Sequence, residues 1–281
     1  MNPLIKLVIL AVVQGLTEFL PVSSSGHLVI FKNYLGVESQ GAFWEIILHF
    51  GTLLAVFIFF RKEIISMLKS VIVSVGRLIS GKKFTDLIRD DLYFRIFLLI
   101  IVGTIPTGLI AIAFKDTFEA LFSKPVLAGL MIMVTGTFLW FTKRFGKEMA
   151  NKESMSFIDA LIVGIVQGIA IIPGISRSGS TISTACFRGI SRSLAVRFSF
   201  LLSIPAILGA TVLEYKEIVA LNGEGLFYVA IVISVAALVG YFALRWLVSI
   251  VERGRLYMFS YYCWGIGVTG IIISLVIGYR L

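Results

Sequence analysis

The chain consists of eight apolar blocks separated by short polar segments. They lie at about residues 4–20, 42–60, 94–114, 125–142, 157–172, 194–213, 225–245 and 257–279. Most approach the roughly 20 residues that an α-helix needs to cross the hydrocarbon core of a bilayer. The pattern predicts an all-α polytopic membrane protein.

The two halves of the chain resemble each other. The segment VQGLTEFLPVSSSGHL at 13–28 is matched by VQGIAIIPGISRSGST at 166–181, at an offset of 153 residues. Self-similarity of this kind indicates a duplicated unit. We therefore predict a single membrane domain, 1–281, with repeat one at 1–150 and repeat two at 155–281.

Weaker matches extend the repeat. The triplet Val-Thr-Gly at 134–136 recurs at 268–270, and Lys-Glu-Ile at 62–64 recurs at 216–218. The main difference between the halves is one long basic loop near 61–95, which only the first half contains. Each half therefore holds four apolar blocks.

The first block of each half is too short and too interrupted to cross the bilayer. It runs for about 16 or 17 residues and then enters a segment rich in Pro, Gly and Ser. Irregular backbone at membrane depth is tolerated only where protein or a cavity satisfies its polar groups, and paired interruptions in two halves point to a binding site. We predict re-entrant helical hairpins at 1–33 and 155–190, and six transmembrane helices.

The positive charges support this topology. Of the 25 Lys and Arg residues, all but Lys6 and Arg177 are assigned to one side of the membrane or the other, and five lie on one side: Lys32, Lys115, Lys124, Lys216 and Arg280. The other 18 lie on the opposite side, which the positive-inside rule assigns to the cytoplasm. Threading all eight blocks across the bilayer divides them less clearly, 14 against 9.

An odd number of spans per half has a further consequence. With three spans in each half, the two repeats are inverted relative to each other, and both termini lie outside the cytoplasm. The two hairpins then enter from opposite faces, so their polar tips can meet near the midplane. The sequence predicts an inverted repeat with one central site.

Composition agrees with a membrane protein and excludes several other classes. Hydrophobic residues make up 58% of the chain, charged residues only 15%, and the mean hydropathy is +0.98. The net charge of +9 lies in short loops rather than in a basic stripe with aromatics, so no nucleic acid is expected as a partner. Cys186 and Cys263 lack the spacing of a zinc site or a disulfide framework.

Polar residues are concentrated at the two hairpin tips. Gln14 and Glu18 are four residues apart, so they share a helix face, and Pro21 ends that helix. Polar groups at membrane depth are costly when unsatisfied, so such a cluster is a hypothesis of function. The first tip continues with Ser23, Ser24, Ser25, Gly26 and His27, and the second contains Pro173, Gly174, Ser176, Arg177, Ser178, Gly179, Ser180 and Thr181.

These residue types suit phosphoryl transfer. Arg177 offers paired donors to a phosphate, and the Gly and Ser-rich turns offer backbone N–H groups at helix N-termini. Glu18 can hold a divalent cation or act as a base. Ser24 is a candidate nucleophile, activated by His27 or by Glu18. The spacing alone does not choose among the serines.

Structural roles are the alternative for each feature taken singly. A lone intramembrane Glu can be a hydrogen-bond partner, and runs of small residues often serve close helix packing. The combination of both tips with Arg177 favours a functional site. Glu45 and His49, also four residues apart, are predicted to form a buried pair that supports it.

At this point the motifs become recognisable. QGLTEFLPVSSSGH and PGISRSGST resemble the two signature motifs of the undecaprenyl-pyrophosphate phosphatase family linked to bacitracin resistance. The resemblance covers essentially the whole chain. It implies hydrolysis of undecaprenyl pyrophosphate to the monophosphate, recycling of the lipid carrier for cell-wall synthesis, and a requirement for a divalent cation, Mg²⁺ or Ca²⁺.

The resemblance also implies roles for individual residues. It makes Gln14 and Glu18 the metal or acid/base pair, Ser24 the nucleophile, His27 its base and Arg177 the pyrophosphate clamp. Many members have Glu where this chain has Gln14, which removes one carboxylate from the expected metal site. Further substrate ligands by motif position are Ser23, Ser25, Gly26, Gly174, Ser176, Ser178 and Thr181.

The expected location follows from the same resemblance. It implies a multi-pass protein of the bacterial cytoplasmic (inner) membrane, with an active site reached from the extracytoplasmic face. Expected partners are the prenyl pyrophosphate and membrane lipids, and a second copy of the chain is a candidate for a homodimer. A lipid or small-solute transporter or flippase is the alternative, because inverted repeats with broken helices are also a transporter design.

Overall fold

The computed structural model describes residues 2–35, 43–145, 152–213 and 223–276. All the regular elements in these residues are helical. The positions Lys147, Lys216 and Arg280, which entered the charge count, lie outside them, as does the 216–218 match. The helices are α1 (Pro3–Phe19), α2 (Ser24–Leu35), α3 (Phe43–Phe59), α4 (Arg61–Ile79), α5 (Phe84–Asp90), α6 (Leu92–Ala113), α7 (Lys115–Phe122), α8 (Pro125–Phe145), α9 (Phe157–Ile169), α10 (Arg177–Phe187), α11 (Arg192–Leu213), α12 (Gly223–Glu252) and α13 (Phe259–Val276).

In the part of the chain that the structure describes, five helices are long and apolar enough to cross a membrane: α6, α8, α11, α12 and α13, the last together with a 3₁₀ turn that precedes it. The sixth predicted span corresponds to α3, which has 17 residues. It qualifies only together with α4, after a bend of 77°. The prediction of an all-α polytopic membrane protein is confirmed.

The basic segment near 61–95 is not a loop, as the sequence analysis expected, but mostly helix. It forms α4 and α5. On α4 the apolar side chains of Ile72 and Ile79 are exposed, while Lys69 and Arg77 supply positive charge. An amphipathic basic helix that turns sharply away from a membrane span is typical of one lying in the membrane interface.

Each half begins with two short helices joined by a break. Helix α1 has 17 residues and packs against α2, and α9 has 13 residues and packs against α10. Helix α9 is shorter than a span requires, and α1, at the lower limit of that length, ends at a break that leads into α2. Each pair therefore has the form expected of a re-entrant hairpin. Side-chain caps begin both hairpins, with Asn2 capping α1 and a Ser156–Asp159 capping box starting α9.

The hairpins pack reciprocally on the spans of the other half. Helix α1 packs mainly against α12, while α9 packs mainly against α6. Equivalent glycines make these contacts: a Cβ on Gly15 would lie 2.8 Å from Val239, and one on Gly168 would lie 2.7 Å from Ile110. Reciprocal contacts are what an inverted repeat produces, while the repeat bounds themselves stay a prediction.

Candidate active site

The carboxylate of Glu18 is the centre of the site. It lies in the last turn of α1, and its side chain is 5% exposed. Arg177 Nη2 donates to Glu18 Oε1 at 2.6 Å, and Ser24 Oγ donates to Glu18 Oε2 at 2.6 Å. The two hairpins therefore meet at this carboxylate, as the inverted-repeat interpretation predicts.

Ser24 and Arg177 occupy equivalent positions in the two repeats. They are 153 residues apart in the sequence, and each is the first residue of its helix, α2 or α10. Both donate to Glu18. Two helix N-termini thus face one buried point, and helix N-termini favour negative charge.

The first turn is held in an uncommon backbone conformation. Ser23 has φ = 69°, in the left-handed region that side chains other than glycine rarely adopt. Its hydroxyl accepts from the Gly26 N–H at 3.2 Å and contacts Ser25 Oγ at 3.2 Å. This strained residue directly precedes Ser24, so it determines where the Ser24 hydroxyl points.

The second turn repeats the hydroxyl contacts. Ser176 Oγ accepts from the Gly179 N–H at 3.1 Å and lies 3.3 Å from Ser178 Oγ. Gly174 has φ = 99°, and a Cβ there would lie 2.3 Å from the carbonyl oxygen of Ala128. Only glycine fits this position, because both the conformation and the close backbone approach exclude a side chain.

Thr135 of α8 braces the second turn. Its Oγ1 accepts from the Ser176 N–H at 3.0 Å and donates to the Gly174 carbonyl at 3.0 Å. Sequence reasoning missed this residue. The recurring Val-Thr-Gly triplet was the available signal, but its second copy, Thr269, only bonds to a carbonyl of its own helix.

Gln14 and His49 surround the other side of the carboxylate. Gln14 Nε2 donates to Glu18 Oε2 at 3.0 Å and to His49 Nδ1 at 3.0 Å. His49 lies 3.4 Å from Glu18 Oε2 and is 33% exposed. His49, which was predicted to support the site, therefore contacts Gln14 and Glu18 directly.

The predicted pairing of Glu45 with His49 is not formed. Glu45 instead accepts from Lys32 Nζ at 2.5 Å, in an ion pair that links α3 to the end of α2. The i,i+4 spacing places both side chains on one helix face, but Lys32 on the neighbouring helix offers Glu45 a charged hydrogen-bond donor. Glu45 therefore ties α2 to α3 at the edge of the site.

His27 has partners other than Ser24. Its Nδ1 lies 2.7 Å from the Ser23 carbonyl oxygen, and its Nε2 lies 2.9 Å from the hydroxyl of Tyr262 on α13. The two rings stack with centroids 5.7 Å apart and an interplanar angle of 7°. Tyr262 is a second residue that the sequence analysis missed.

Thr181 and Ser178 secure the start of α10. Thr181 Oγ1 contacts Ser199 Oγ at 2.5 Å and donates to the Arg177 carbonyl at 2.8 Å. Ser178 Oγ donates to the Leu20 carbonyl at 3.4 Å. Thr181 therefore holds the backbone of Arg177, and Ser178 ties α10 to the end of α1. Their predicted binding of substrate stays a prediction.

Comparison with known proteins decides the family. The family model for bacitracin resistance protein BacA matches residues 7–269. This chain belongs to the BacA family. It is 46% identical over 274 residues to an undecaprenyl-diphosphatase of Desulforapulum autotrophicum, covering 96% of this chain and 98% of that protein.

Other BacA-family proteins are similar over the same length. An undecaprenyl-diphosphatase of Alkaliphilus metalliredigens is 44% identical over 274 residues, covering 96% of this chain and 98% of the relative. One of Methanosphaera stadtmanae is 42% identical over 281 residues, covering 99% of this chain and all of the relative. The family resemblance predicted from the two motifs is confirmed.

Two polar atoms of this BacA-family site lack a partner within the described residues. They are Gln14 Oε1 and Arg177 Nη1, and both are buried. A buried polar atom without a hydrogen bond is costly, and at a catalytic site a water, an ion or a substrate group can supply the partner. One is an acceptor and the other a donor, so the site can receive both a cation and an anion.

The acidic groups alone do not form a metal centre. Among the described residues, no group of three His, Cys, Asp or Glu side chains is arranged to hold a metal ion. At the site the oxygen donors that fit a hard cation are the Glu18 carboxylate and the free Gln14 Oε1. A cation here would need further oxygen ligands from substrate and water.

Proposed function

We propose that this chain is an undecaprenyl-diphosphatase, which hydrolyses undecaprenyl pyrophosphate to undecaprenyl phosphate and inorganic phosphate. The observation that carries the proposal is the buried Glu18 carboxylate, which accepts from Ser24 and from Arg177 at 2.6 Å each. A base, a hydroxyl and a phosphate-binding guanidinium thus lie together. The names of the relatives support the same activity.

Ser24 is the proposed nucleophile and Glu18 its base. As Ser24 Oγ attacks the terminal phosphorus, its proton passes to Glu18, and the bond from that phosphorus to the bridging oxygen breaks. Undecaprenyl phosphate leaves. Water then attacks the phosphoserine, the phosphorus–Oγ bond breaks, Glu18 returns the proton to Ser24 Oγ, and both protons of the water leave on the inorganic phosphate. The short Ser24–Glu18 hydrogen bond favours Glu18 over His27 as the base, because both nitrogens of His27 have other partners.

Arg177 is the proposed pyrophosphate clamp. Its Nη2 is fixed by Glu18, while the buried Nη1 has no partner in the described residues and is free to donate to a phosphate oxygen. The Phe200 ring lies 5.7 Å from the guanidinium carbon and supports it by a cation–π contact. The N-termini of α2 and α10 add backbone N–H donors, which also favour a negatively charged phosphate.

A divalent cation, Mg²⁺ or Ca²⁺, is proposed to accompany the substrate. Glu18 and Gln14 Oε1 would hold it, with the pyrophosphate providing most of the other ligands, as is usual for Mg²⁺ at phosphate sites. It would neutralise charge on the pyrophosphate. Since this chain offers one carboxylate rather than two, the cation should bind weakly without substrate.

The site is proposed to open to the extracytoplasmic side of a bacterial inner membrane. His49, the partly exposed member of the site, lies six residues after the start of α3 and ten before its end. At 1.5 Å per residue this is roughly 9 Å from one end and 15 Å from the other. The distant end leads into the basic helix α4, which the positive-inside rule places in the cytoplasm.

Phosphate release tests the proposed function. Purified protein in detergent is given undecaprenyl pyrophosphate, with and without a chelator. We expect release of inorganic phosphate that the chelator suppresses and added Mg²⁺ or Ca²⁺ restores. Absence of release at saturating cation would contradict the enzyme and favour the transporter, which breaks no bond. Phosphate release that the chelator does not suppress would contradict only the proposed requirement for a divalent cation.

A further inference from the structure

We propose that Tyr262 is a positioning residue for the reaction, acting through His27 on the turn that presents Ser24. The proposal rests on the proposed phosphatase function. Tyr262 lies on α13, 235 residues along the chain from His27, and its hydroxyl is 2.9 Å from His27 Nε2. It does not reach Glu18 or Ser24 in the structure; its effect passes through the imidazole.

Hydrogen-bonding rules assign the protons in this chain of contacts. The Ser23 carbonyl oxygen can only accept, so His27 Nδ1 must carry the proton and donate at 2.7 Å. In a neutral imidazole Nε2 is then the acceptor, so the Tyr262 hydroxyl donates to it. The direction of every hydrogen bond from Tyr262 to Ser23 is therefore fixed.

This series of hydrogen bonds ends at Ser23, the most strained residue of the site. Ser23 is the one non-glycine residue with positive φ among the described residues, and its carbonyl also accepts from the His27 N–H at 3.2 Å. Such conformations persist only where surrounding contacts over-determine them. His27 supplies two of those contacts, one from its backbone N–H and one from its imidazole. Tyr262 fixes the tautomer and the orientation of the imidazole that allow the second contact.

Ring stacking holds the pair in register. The planes of His27 and Tyr262 are within 7° of parallel at 5.7 Å. Phenylalanine at 262 would keep this stacking and remove only the hydroxyl. Loss of the hydroxyl frees the imidazole to adopt the other tautomer, which cannot donate to Ser23. The Ser24 hydroxyl would then be presented to Glu18 less often.

Steady-state kinetics of Tyr262→Phe test the effect on the reaction. We expect kcat for phosphate release to fall about tenfold, the size of one lost hydrogen bond, with KM within twofold of wild type, because Tyr262 touches no substrate-binding group. The matched control is Tyr261→Phe, whose ring packs against Trp140 and Trp264 away from the site. Unchanged kcat in Tyr262→Phe would overturn the proposal.

A spectroscopic measurement separates this proposal from the proposed function. The chain has only two histidines, His27 and His49, so ¹⁵N-histidine labelling gives two assignable sets of ring signals. We expect His27 in the wild type to show a protonated Nδ1 and an Nε2 signal that moves in Tyr262→Phe but not in Tyr261→Phe. His27 signals unaffected by Tyr262→Phe would overturn the coupling, even if the wild type proved inactive; wild-type inactivity with the expected shifts would contradict the function only.

Discussion

Replacing Arg177 by lysine separates charge from geometry at the site. The two terminal nitrogens of the guanidinium have different roles. Nη2 donates to Glu18 at 2.6 Å, and Nη1 is buried without a partner in the described residues, so it can donate to a phosphate. A lysine keeps the positive charge but has one nitrogen on a flexible stem. It can pair with Glu18 or reach the phosphate, but it cannot hold both in the guanidinium geometry.

The size of the loss follows from what lysine cannot replace. One donor aimed at the charge that develops in a transition state is worth about 10²–10³ in kcat, or roughly 2.7–4 kcal/mol. Lysine also loses the planar contact with Phe200, whose ring centre is 5.7 Å from the guanidinium carbon. We expect kcat to fall by about two orders of magnitude, with the protein still folded because the ion pair with Glu18 can re-form.

The assay is phosphate release by purified Arg177→Lys at saturating substrate and cation. Arg89→Lys is the matched control, since Arg89 is largely exposed and forms ion pairs with Asp86 and Asp90, both on α5. It should have wild-type activity. Full activity of Arg177→Lys would refute the clamp and leave Arg177 as a structural partner of Glu18.

Three further predictions concern the fold around the site. A reporter in the 61–95 segment should be cytoplasmic, because the positive charges favour that side; a reporter found outside would invert the topology. Thr135→Val should lower kcat about tenfold or more and reduce thermal stability, because it leaves the Ser176 N–H buried and unpaired, which costs about 1–3 kcal/mol. A thermal melt beside the activity assay checks both effects. Wild-type values of both would contradict the role of Thr135 in bracing the second turn. Gly164→Ala should destabilise by about 1–3 kcal/mol, since its Cβ would lie 2.1 Å from the Gly103 carbonyl oxygen and must push α9 from α6; unchanged stability would contradict that packing.

The membrane architecture could be predicted from the sequence because its determinants are local. Block length and the Pro and Gly interruptions distinguish spans from hairpins, and the offset of 153 predicts the repeat. The helix α4 was missed because its charges interrupt the apolar pattern, so an interfacial helix resembles a basic loop. Its one-sided distribution of exposed apolar residues becomes clear only once the helix is known.

Within the site, contacts along one helix or between equivalent positions were predictable, and contacts between distant segments were not. The Gln14–Glu18 pair follows from i,i+4 spacing. The repeat offset also implies that Ser24 and Arg177 are equivalent, although only the structure places both on one carboxylate. Tyr262 carries no sequence signal, because it meets His27 through tertiary packing of α13 against the first hairpin.

Glu45 and His49 on α3 do not pair with each other, because neighbouring helices supply their partners. Spacing on α3 showed correctly that both side chains share a face, but the partner of each depends on the neighbouring helices. Lys32 lies close enough to form an ion pair with Glu45, and Gln14 forms a hydrogen bond with His49. An i,i+4 pattern therefore predicts proximity and does not select the hydrogen bond that forms.

One carboxylate, Glu18, is proposed to be the base and anchor of a single active site to which both hairpins contribute. The most direct measurement is phosphate release from undecaprenyl pyrophosphate by Glu18→Gln, beside wild type and the exposed control Glu119→Gln. Glutamine keeps the shape but can neither accept the Ser24 proton nor balance the charge of Arg177. We expect kcat to fall by at least about 10²–10³-fold, with the control at wild-type activity. A Glu18→Gln rate within about tenfold of wild type, a barrier change near 1.4 kcal/mol, would contradict the assignment of Glu18 as base and anchor.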